Sequence, residues 1–339
     1  MTASARGQRT LRIGTRGSTL ALTQTGMVAD ALRGLTGLTT DGIELVRVRT
    51  EGDRLTGSLA ALGGAGLFVA ALREAVLDGR CDLAVHSLKD LPTAPAEGLV
   101  LAAVPEREDP RDALCARDGL TLAGLPDGAR VGTGSPRRAA QLRAVRPDLV
   151  VVDIRGNVDT RLGLVGELDA VVLAAAGLAR LGRLGAVTEY LEPDVMAPAP
   201  GQGALAIECR PELLDDVAVR SALGELDHLA SRLAVTAERS LLSALEAGCA
   251  APIGALGHLV LGGPGDSWRT PHDYLRLDAV VCRPDGTAQL RTSASVVLAG
   301  DAADHVAARG LGEEVARQLL RGGAADLADL PGAARGPVS

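Results

Sequence analysis

One short stretch, residues 82–92, combines the side chains most suited to chemistry, and it reads Asp-Leu-Ala-Val-His-Ser-Leu-Lys-Asp-Leu-Pro. Lys89 is the only lysine in the chain of 339 residues, and the rest of the 35 lysine and arginine residues are arginines. A lysine kept in such a chain indicates a need for a compact, flexible ammonium rather than a planar guanidinium. Asp90 places a carboxylate directly beside it. The pair therefore predicts charge or proton chemistry at this point.

The residues around this pair predict that it is held at the end of a strand. The apolar run 83–85 reads as a short strand that ends at His86-Ser87. Ser87 can cap a single helical turn in which Asp90 faces the free amides, and Pro92 stops that turn from growing. The alternative interpretation is an ordinary capping box with a solvated charge. The lone lysine and the interrupted turn favour the functional interpretation.

Three predicted helices carry arginines at their amino-terminal ends, where a cation opposes the helix dipole. Their predicted caps are Ser18, Ser135 and Asn157. A bound carboxylate or phosphate would remove the conflict, because amides, dipole and guanidinium would all point at one anion. We therefore predict an anion-binding cleft, the alternative being solvated arginines in an arginine-rich chain. The arginines concerned are Arg16, Arg137, Arg138, Arg155 and Arg161.

A glycine-rich segment, Gly132-Thr133-Gly134-Ser135, has the composition of a phosphate cradle. It lacks the Gly-Lys-Ser/Thr ending of a P-loop and the full dinucleotide-binding fingerprint. A transferase that uses nucleotide phosphates is therefore rejected as an interpretation of this segment.

Five cysteines are scattered along the chain, and no Cys-x-x-Cys motif occurs. Such a set fits a reducing compartment, and the histidines show no metal-ligand spacing. Cys249 differs from the others because Gly248 and Ala250-Ala251 surround it with small side chains after a predicted helix. A bulky group could reach it there, although an inert loop cysteine is an equal alternative. The other four are interpreted as small buried hydrophobes.

The composition excludes several classes of protein. Aromatic residues make up 1% of the chain and the formal net charge is −7, which argues against binding of nucleic acid. No uncharged apolar run reaches the roughly 18 residues of a membrane span. The first residues lack the apolar core of a signal peptide. We therefore expect a soluble cytoplasmic protein without metal, membrane or nucleic-acid partners.

The apolar pattern predicts an α/β protein. Strand and helix signals alternate over 11–104, which is expected to give a parallel sheet with its ligand at the carboxyl ends of the strands. A second such series runs over 130–174. Segments 105–112 and 193–200 read as crossings, and a strand at 204–208 is expected to return to the first sheet. Two crossings between two lobes predict a hinged cleft.

The last third of the chain predicts a small α+β domain, with a long helix at 226–245, three strand-like runs and a helix at 302–320. In the second lobe a helix is predicted over 157–167. The Gly- and Pro-rich segment 262–273 reads as a surface excursion. The predicted division is domain 1 at 1–104 and 200–222, domain 2 at 105–199, domain 3 at 223–325, and a flexible tail at 326–339.

These motifs together resemble the porphobilinogen deaminase family, also called hydroxymethylbilane synthase. The match is collinear from about residue 10 to about residue 320. The matching stretches are 13–18, 63–68, 84–92, 106–112, 132–138, 155–158, 161–162, 174–181, 200–204, 248–249 and 252–254.

The resemblance implies two lobes like those of periplasmic binding proteins, followed by a small third domain. It implies a dipyrromethane cofactor joined to Cys249 by a thioether. It also implies a transferase of haem and porphyrin biosynthesis, a monomer, that condenses four porphobilinogen molecules into hydroxymethylbilane with loss of ammonia.

The same resemblance implies the roles of particular residues. Asp90 matches the catalytic carboxylate, which would protonate the leaving amine and stabilise a cationic methylene-pyrrole. The other assignments are Lys89, Thr133, Ser135, Arg137, Arg138, Arg155 and Gly156 to the cofactor, and Arg16, Ser18, Phe68, Arg161 and Arg180 to the substrate.

Departures from the family pattern and one alternative function accompany the resemblance. Ala61 and Ala65 stand in the glycine loop, where the family often carries lysines. The alternative function is a non-catalytic cytosolic sensor of a polycarboxylate, which would use the same arginines without needing Cys249 or Asp90.

Overall fold

The computed structural model describes residues 10–36, 42–49, 66–248, 251–261, 273–328 and 330, with the side chains of 66–68 excepted. The chain forms two compact units. One comprises 1–91, 95–106 and 205–228, and the other comprises 92–94, 107–204 and 229–339.

The elements of the described ranges are numbered in chain order. The strands are β1 (Leu11–Thr15), β2 (Ile43–Arg47), β3 (Leu83–Ser87), β4 (Val100–Ala103), β5 (Asp112–Ala116), β6 (Arg130–Gly132), β7 (Val150–Val152), β8 (Ala170–Ala174), β9 (Glu189–Leu191), β10 (Leu205–Cys209), β11 (Ile253–Val260), β12 (Tyr274–Cys282) and β13 (Gln289–Val297). The helices are α1 (Thr19–Thr36), α2 (Gly66–Leu77), α3 (Pro136–Val145), α4 (Val158–Leu162), α5 (Ala175–Arg180), α6 (Val217–Leu226), α7 (Leu229–Ala244), α8 (Ala303–Arg321) and α9 (Ala324–Ala328).

The first unit contains a five-stranded sheet of order β2-β1-β3-β10-β4. β1 pairs in parallel with β2 and β3, which brings the carboxyl ends of β1 and β3 to one edge. The predicted return of the chain to this sheet is confirmed by β10. The predicted parallel pairing is confirmed for β1, β2 and β3, whereas the returning strand β10 pairs antiparallel with β3 and β4.

The second unit contains a five-stranded sheet of order β7-β6-β8-β5-β9. β5 runs antiparallel to both of its neighbours, and the sequence pattern did not predict β5 or β9. β5 begins with Asp112, which is 0% exposed, so a charged residue occupies a core position. A sequence pattern treats a charged residue as exposed to solvent. Segment 105–112 was therefore predicted to be a crossing, although its last residue, Asp112, begins β5.

The same unit contains the C-terminal sheet β11-β12-β13, which is antiparallel throughout. α7 and α8 pack against it, and its core includes Leu233, Leu241, Leu277 and Val315. α9 extends into the predicted tail, and Leu330 is 5% exposed within this core. The helix predicted over 157–167 is shorter than expected, since α4 ends at Leu162.

The long helix predicted at 226–245 is wrong at its start, because α6 and α7 are separate helices. The backbone between them bonds to the end of β4 instead of continuing the helix. The carboxylate of Asp227 accepts a hydrogen bond from the amide of Val104 at 2.7 Å, and the His228 amide donates to the Val104 carbonyl at 2.8 Å.

The fold class is therefore α/β, with two sheet-containing lobes and a small C-terminal domain. The hinged cleft and the division into three domains at 104, 199, 222 and 325 stay predictions.

Candidate active site

Lys89 and Asp90 lie in a single 3-10 turn, Leu88–Asp90, that follows β3 directly. The turn closes with a hydrogen bond from the Leu91 amide to the Leu88 carbonyl at 3.0 Å. The predicted cap is wrong, because the Ser87 side chain does not bond to the turn. Its hydroxyl instead bonds to the amide of Gln24, whose Nε2 lies 3.1 Å away on α1. Side-chain contacts across the sheet face thus override the local cap.

The Asp90 carboxylate is half-buried, and within the described ranges it accepts no hydrogen bond. Lys89 is half-buried as well. A carboxylate that is positioned by its backbone yet has no donor from the described protein is available to a ligand.

Arg16 and Ser18 follow β1, at the same sheet edge as the turn after β3. Ser18 caps α1 as predicted, since its hydroxyl accepts a hydrogen bond from the Ala21 amide at 3.3 Å. The buried Thr15 hydroxyl accepts from the Thr25 hydroxyl at 2.8 Å. β1 and α1 are thereby fixed to each other on either side of Arg16.

The predicted cap of α3 is present in the second unit. The Ser135 hydroxyl accepts a hydrogen bond from the Arg138 amide at 3.5 Å, with Pro136 in the first turn. Thr133 is 3% exposed, and its hydroxyl accepts from the Ser135 amide at 3.2 Å. The segment therefore forms a well-bonded entry into the helix.

Arg137 and Arg138 are buried and share the carboxylate of Asp112. Nη2 of Arg137 lies 2.8 Å from Oδ2 of Asp112, and Nε of Arg138 donates to Oδ1 at 2.9 Å. Burial alone would raise the pKa of Asp112, but the two guanidiniums and the Gln202 amide outweigh it and lower this pKa to about 2. The carboxylate is thus ionised at neutral pH.

The two arginines also bond to backbone carbonyls. Nη1 of Arg137 donates to the Ala197 carbonyl at 2.5 Å, and Nη1 of Arg138 donates to the Val172 carbonyl at 3.1 Å. Sequence reasoning missed Asp112, which orients both side chains. Asp112 lies in the matching stretch 106–112, but no role was predicted for it.

Arg155 precedes α4 and Arg161 lies in its last turn. The cap of α4 is Asn157 as predicted, with the Thr160 amide 2.8 Å from its side-chain oxygen. Nε of Arg161 donates to the Gly156 carbonyl at 2.8 Å. Burial lowers the pKa of Arg161, and repulsion from Arg138 and Arg155 lowers it further. A bound anion beside the guanidiniums of Arg138, Arg155 and Arg161 would reduce that repulsion.

Arg180 lies at the end of α5 and donates from Nη2 to the Gly203 carbonyl at 2.6 Å. Its Nε is buried and has no hydrogen-bond partner within the described ranges. Burial lowers the pKa of this guanidinium as well. An uncompensated donor of this kind is suited to a carboxylate ligand.

Several predicted positions cannot be placed. Cys249, Ala61 and Ala65 lie outside the described residues, as does 262–272. Phe68 is in α2, but its side chain is not described. Within the described ranges there is no group of three or more His, Cys, Asp or Glu side chains suited to a metal ion. No helix there is long and apolar enough to cross a membrane.

The lobes and their strand-end charges thus define an α/β protein whose arginines are arranged to hold a multiply charged anion. The family model described as "Porphobilinogen deaminase, dipyromethane cofactor binding domain" matches residues 11–217. The model described as "Porphobilinogen deaminase, C-terminal domain" matches residues 232–321. The chain belongs to the porphobilinogen deaminase family.

Similar proteins extend over nearly the whole chain. The porphobilinogen deaminase of Leifsonia xyli is 55% identical over 96% of this chain and 97% of its own length. That of Cutibacterium acnes is 55% identical over 94% and 97% respectively. A solved putative methionine-binding lipoprotein from Bacillus subtilis is 12% identical over 67% of this chain and 93% of its own, with a TM-score of 0.39. With so low a score, the fold class rests on the sheets themselves.

The chain is accordingly an enzyme, a transferase of tetrapyrrole biosynthesis with a dipyrromethane cofactor, and the sensor alternative is set aside. The residues present fit that cofactor, because its pyrroles carry acetate and propionate side chains. Arg161 is repelled by Arg138 and Arg155, and Arg180 keeps a buried donor without a hydrogen-bond partner in the described ranges. Carboxylates of a ligand would suit both features.

Proposed function

We propose that the chain condenses four porphobilinogen molecules head to tail, with release of one ammonia from each, and that a water molecule then releases the product as hydroxymethylbilane. The growing product would be attached to the dipyrromethane, which supplies a two-pyrrole primer and is bound to Cys249 by a thioether. The observation that carries this proposal is the cluster of partly buried arginines in the second unit, whose positive charge exceeds that of the carboxylates beside it.

The arginines would hold the carboxylates of the bound pyrroles. Arg137, Arg138 and Arg155 are assigned to the cofactor together with Lys89, Thr133, Ser135 and Gly156. Arg16, Arg161 and Arg180 are assigned to the substrate together with Ser18 and Phe68. Guanidinium suits this task because its fork matches a carboxylate with two parallel hydrogen bonds.

Asp90 would act on the substrate directly. As an acid it would deliver a proton to the departing amine, and as a carboxylate it would stabilise the positive charge left on the methylene-pyrrole. Its position supports this role, because no described side chain or amide occupies its oxygens. Lys89 would pair with Asp90 or with a substrate carboxylate.

The protein would be a monomer of the cytoplasm without a nucleic-acid partner. The net charge of −7 and the near absence of aromatic residues support the last point. The division into three domains belongs to the same proposal.

The test is the intact mass of the protein purified from a host that makes tetrapyrroles, with peptide mapping around Cys249. We expect an added mass of two linked pyrrole units, located on the peptide that contains Cys249. An unmodified Cys249 in active protein would overturn the thioether assignment. Modified protein that does not release hydroxymethylbilane from porphobilinogen would overturn the proposed reaction.

A further inference from the structure

A single buried carboxylate serves both arginines at the start of α3. Asp112 is 0% exposed, and its Oδ1 accepts hydrogen bonds from Nε of Arg138 at 2.9 Å and from Nε2 of Gln202 at 2.8 Å. Its Oδ2 lies 2.8 Å from Nη2 of Arg137. Asp112 therefore determines where both guanidiniums lie.

Gln202 completes this arrangement from the 200–204 segment. It is 1% exposed, and its Nε2 also donates to the Pro110 carbonyl at 2.7 Å. Its Oε1 accepts from Nη2 of Arg138 at 3.4 Å. The amide thus turns a donor towards the carboxylate and an acceptor towards the guanidinium, which neither a carboxylate nor a hydrocarbon side chain can do.

The charges of this cluster do not cancel. Two guanidiniums face one carboxylate, so Arg137, Arg138 and Asp112 together keep one net positive charge in a buried place, where an uncompensated charge is costly. Nε of Arg137 has no hydrogen-bond partner within the described ranges. The low pKa of Asp112 means that this balance does not change near neutral pH.

We infer that Asp112 and Gln202 are positioning residues that set the orientation and the net charge of the Arg137–Arg138 pair, and with them the strength with which the pair binds ligand carboxylates. The inference rests on the proposed function, in which this pair holds the cofactor. Asp112 competes with the ligand for the same donors, so removing its charge should weaken the empty protein more than the loaded one.

The test is a charge series in which each variant is prepared with the cofactor and, from a host unable to make porphobilinogen, without it. The net charge of positions 112, 137 and 138 together is zero in Arg137→Gln, one positive charge in the unaltered protein and two in Asp112→Asn. The double variant Asp112→Asn with Arg137→Gln returns to one. The readout is the difference in melting temperature between loaded and empty protein, with loading measured by intact mass.

We expect this difference to follow the net charge of the pair. It should be smallest in Arg137→Gln, similar in the unaltered protein and the double variant, and largest in Asp112→Asn, with steps of about 5 °C. Glu208→Gln, which removes a buried carboxylate from the other unit, is the matched control and should lower both forms equally.

Equal differences across the series, or a smaller difference in Asp112→Asn than in the unaltered protein, would overturn the inference. If Asp112→Asn does not fold, the comparison of Arg137→Gln with the double variant decides, because these two differ only at position 112.

Gln202→Met should leave the charge unchanged but raise the KM for porphobilinogen more than it lowers kcat, and an unchanged KM would remove Gln202 from the proposal. Unaltered protein without added mass would instead refute the proposed function.

Discussion

Three carboxylates of this chain differ in burial and in their hydrogen-bond partners. Asp112 and Glu208 are buried, and each is bound by arginine. Asp90 is half-buried and accepts no hydrogen bond within the described ranges. A buried carboxylate that is paired with arginine stabilises the fold, whereas a half-buried one without a described donor, at a strand end, can act on a ligand.

Replacing Asp90 by Asn tests this distinction. We expect kcat to fall by about 100-fold or more, because an amide can neither deliver the proton nor stabilise a cation. The melting temperature should change little, since no hydrogen bond to the carboxylate from a described group is lost. Steady-state kinetics and calorimetry of the same preparation measure both quantities. Asp78→Asn, at an exposed position of the same unit, is the control and should leave kcat unchanged. A variant with a tenth of the original kcat would exclude Asp90 as the catalytic acid.

At the scale of elements, a buried ion pair joins a strand to a helix in the first unit. Glu208 on β10 receives two hydrogen bonds from Arg73 on α2, at 2.9 and 2.8 Å. Nε2 of His86 on β3 lies 3.3 Å from the same carboxylate. Three elements are thus tied together immediately before the turn that carries Lys89 and Asp90.

This cluster predicts a dependence of stability on pH. Burial would raise the pKa of Glu208, but hydrogen bonds from His86 and Arg73 outweigh it and lower this pKa from 4.5 to about 2. A lowered pKa means that the folded state favours the ionised form, so the stabilisation is present above pH 4.5 and lost as the pH falls towards 2. The shift corresponds to about 3 kcal/mol.

Urea unfolding between pH 7 and pH 2.5 measures this contribution. We expect Glu208→Gln to be less stable than the unaltered protein at pH 7 and to lose less stability on acidification. Glu212→Gln, at an exposed position nearby, should reproduce the profile of the unaltered protein. Parallel profiles for Glu208→Gln and the unaltered protein would contradict the assigned pKa.

The segment that leads back to β10 depends on one glycine. Gly203 has a φ of +87°, and a Cβ there would lie 2.4 Å from the Glu108 carbonyl oxygen. Gly203→Ala should therefore destabilise the protein by about 2 kcal/mol or more, and it should disturb the carbonyl that binds Arg180. Chemical unfolding measures the effect. Gly185→Ala has an unhindered Cβ and no positive φ, and a similar loss in both variants would refute the steric argument.

At the scale of the whole molecule, a buried pair joins the C-terminal domain to the rest of its unit. Glu238 on α7 is 0% exposed and accepts from Nη1 of Arg107 at 2.6 Å. It also accepts hydrogen bonds from the amides of Gly201 and Gly257, at 2.6 and 2.7 Å. The Glu238 carboxylate thus binds Gly201 in segment 200–204, Gly257 in β11 and Arg107 before β5.

Glu238→Ala should lower the free energy of unfolding by about 3–5 kcal/mol, because it leaves Arg107 buried without its carboxylate and two amides unsatisfied. Urea denaturation at pH 7 provides the measurement. Glu313→Ala, at an exposed position of α8, should change stability by less than about 0.5 kcal/mol. A loss in Glu238→Ala no greater than in this control would show that the pair is not needed for stability.

The amino-acid sequence by itself determined what depends on local pattern and on residue type. The caps Ser18, Ser135 and Asn157, most strands of the two lobes and the family could all be read from it, because caps and strand periodicity act over a few neighbouring residues. Only the tertiary structure decided that β10 runs antiparallel, that Ser87 bonds to Gln24 instead of capping its turn, and that Asp112 and Gln202 orient the arginine pair. Those outcomes depend on partners at least 26 positions away along the chain, and no pattern within a short window contains the contacts that decide them.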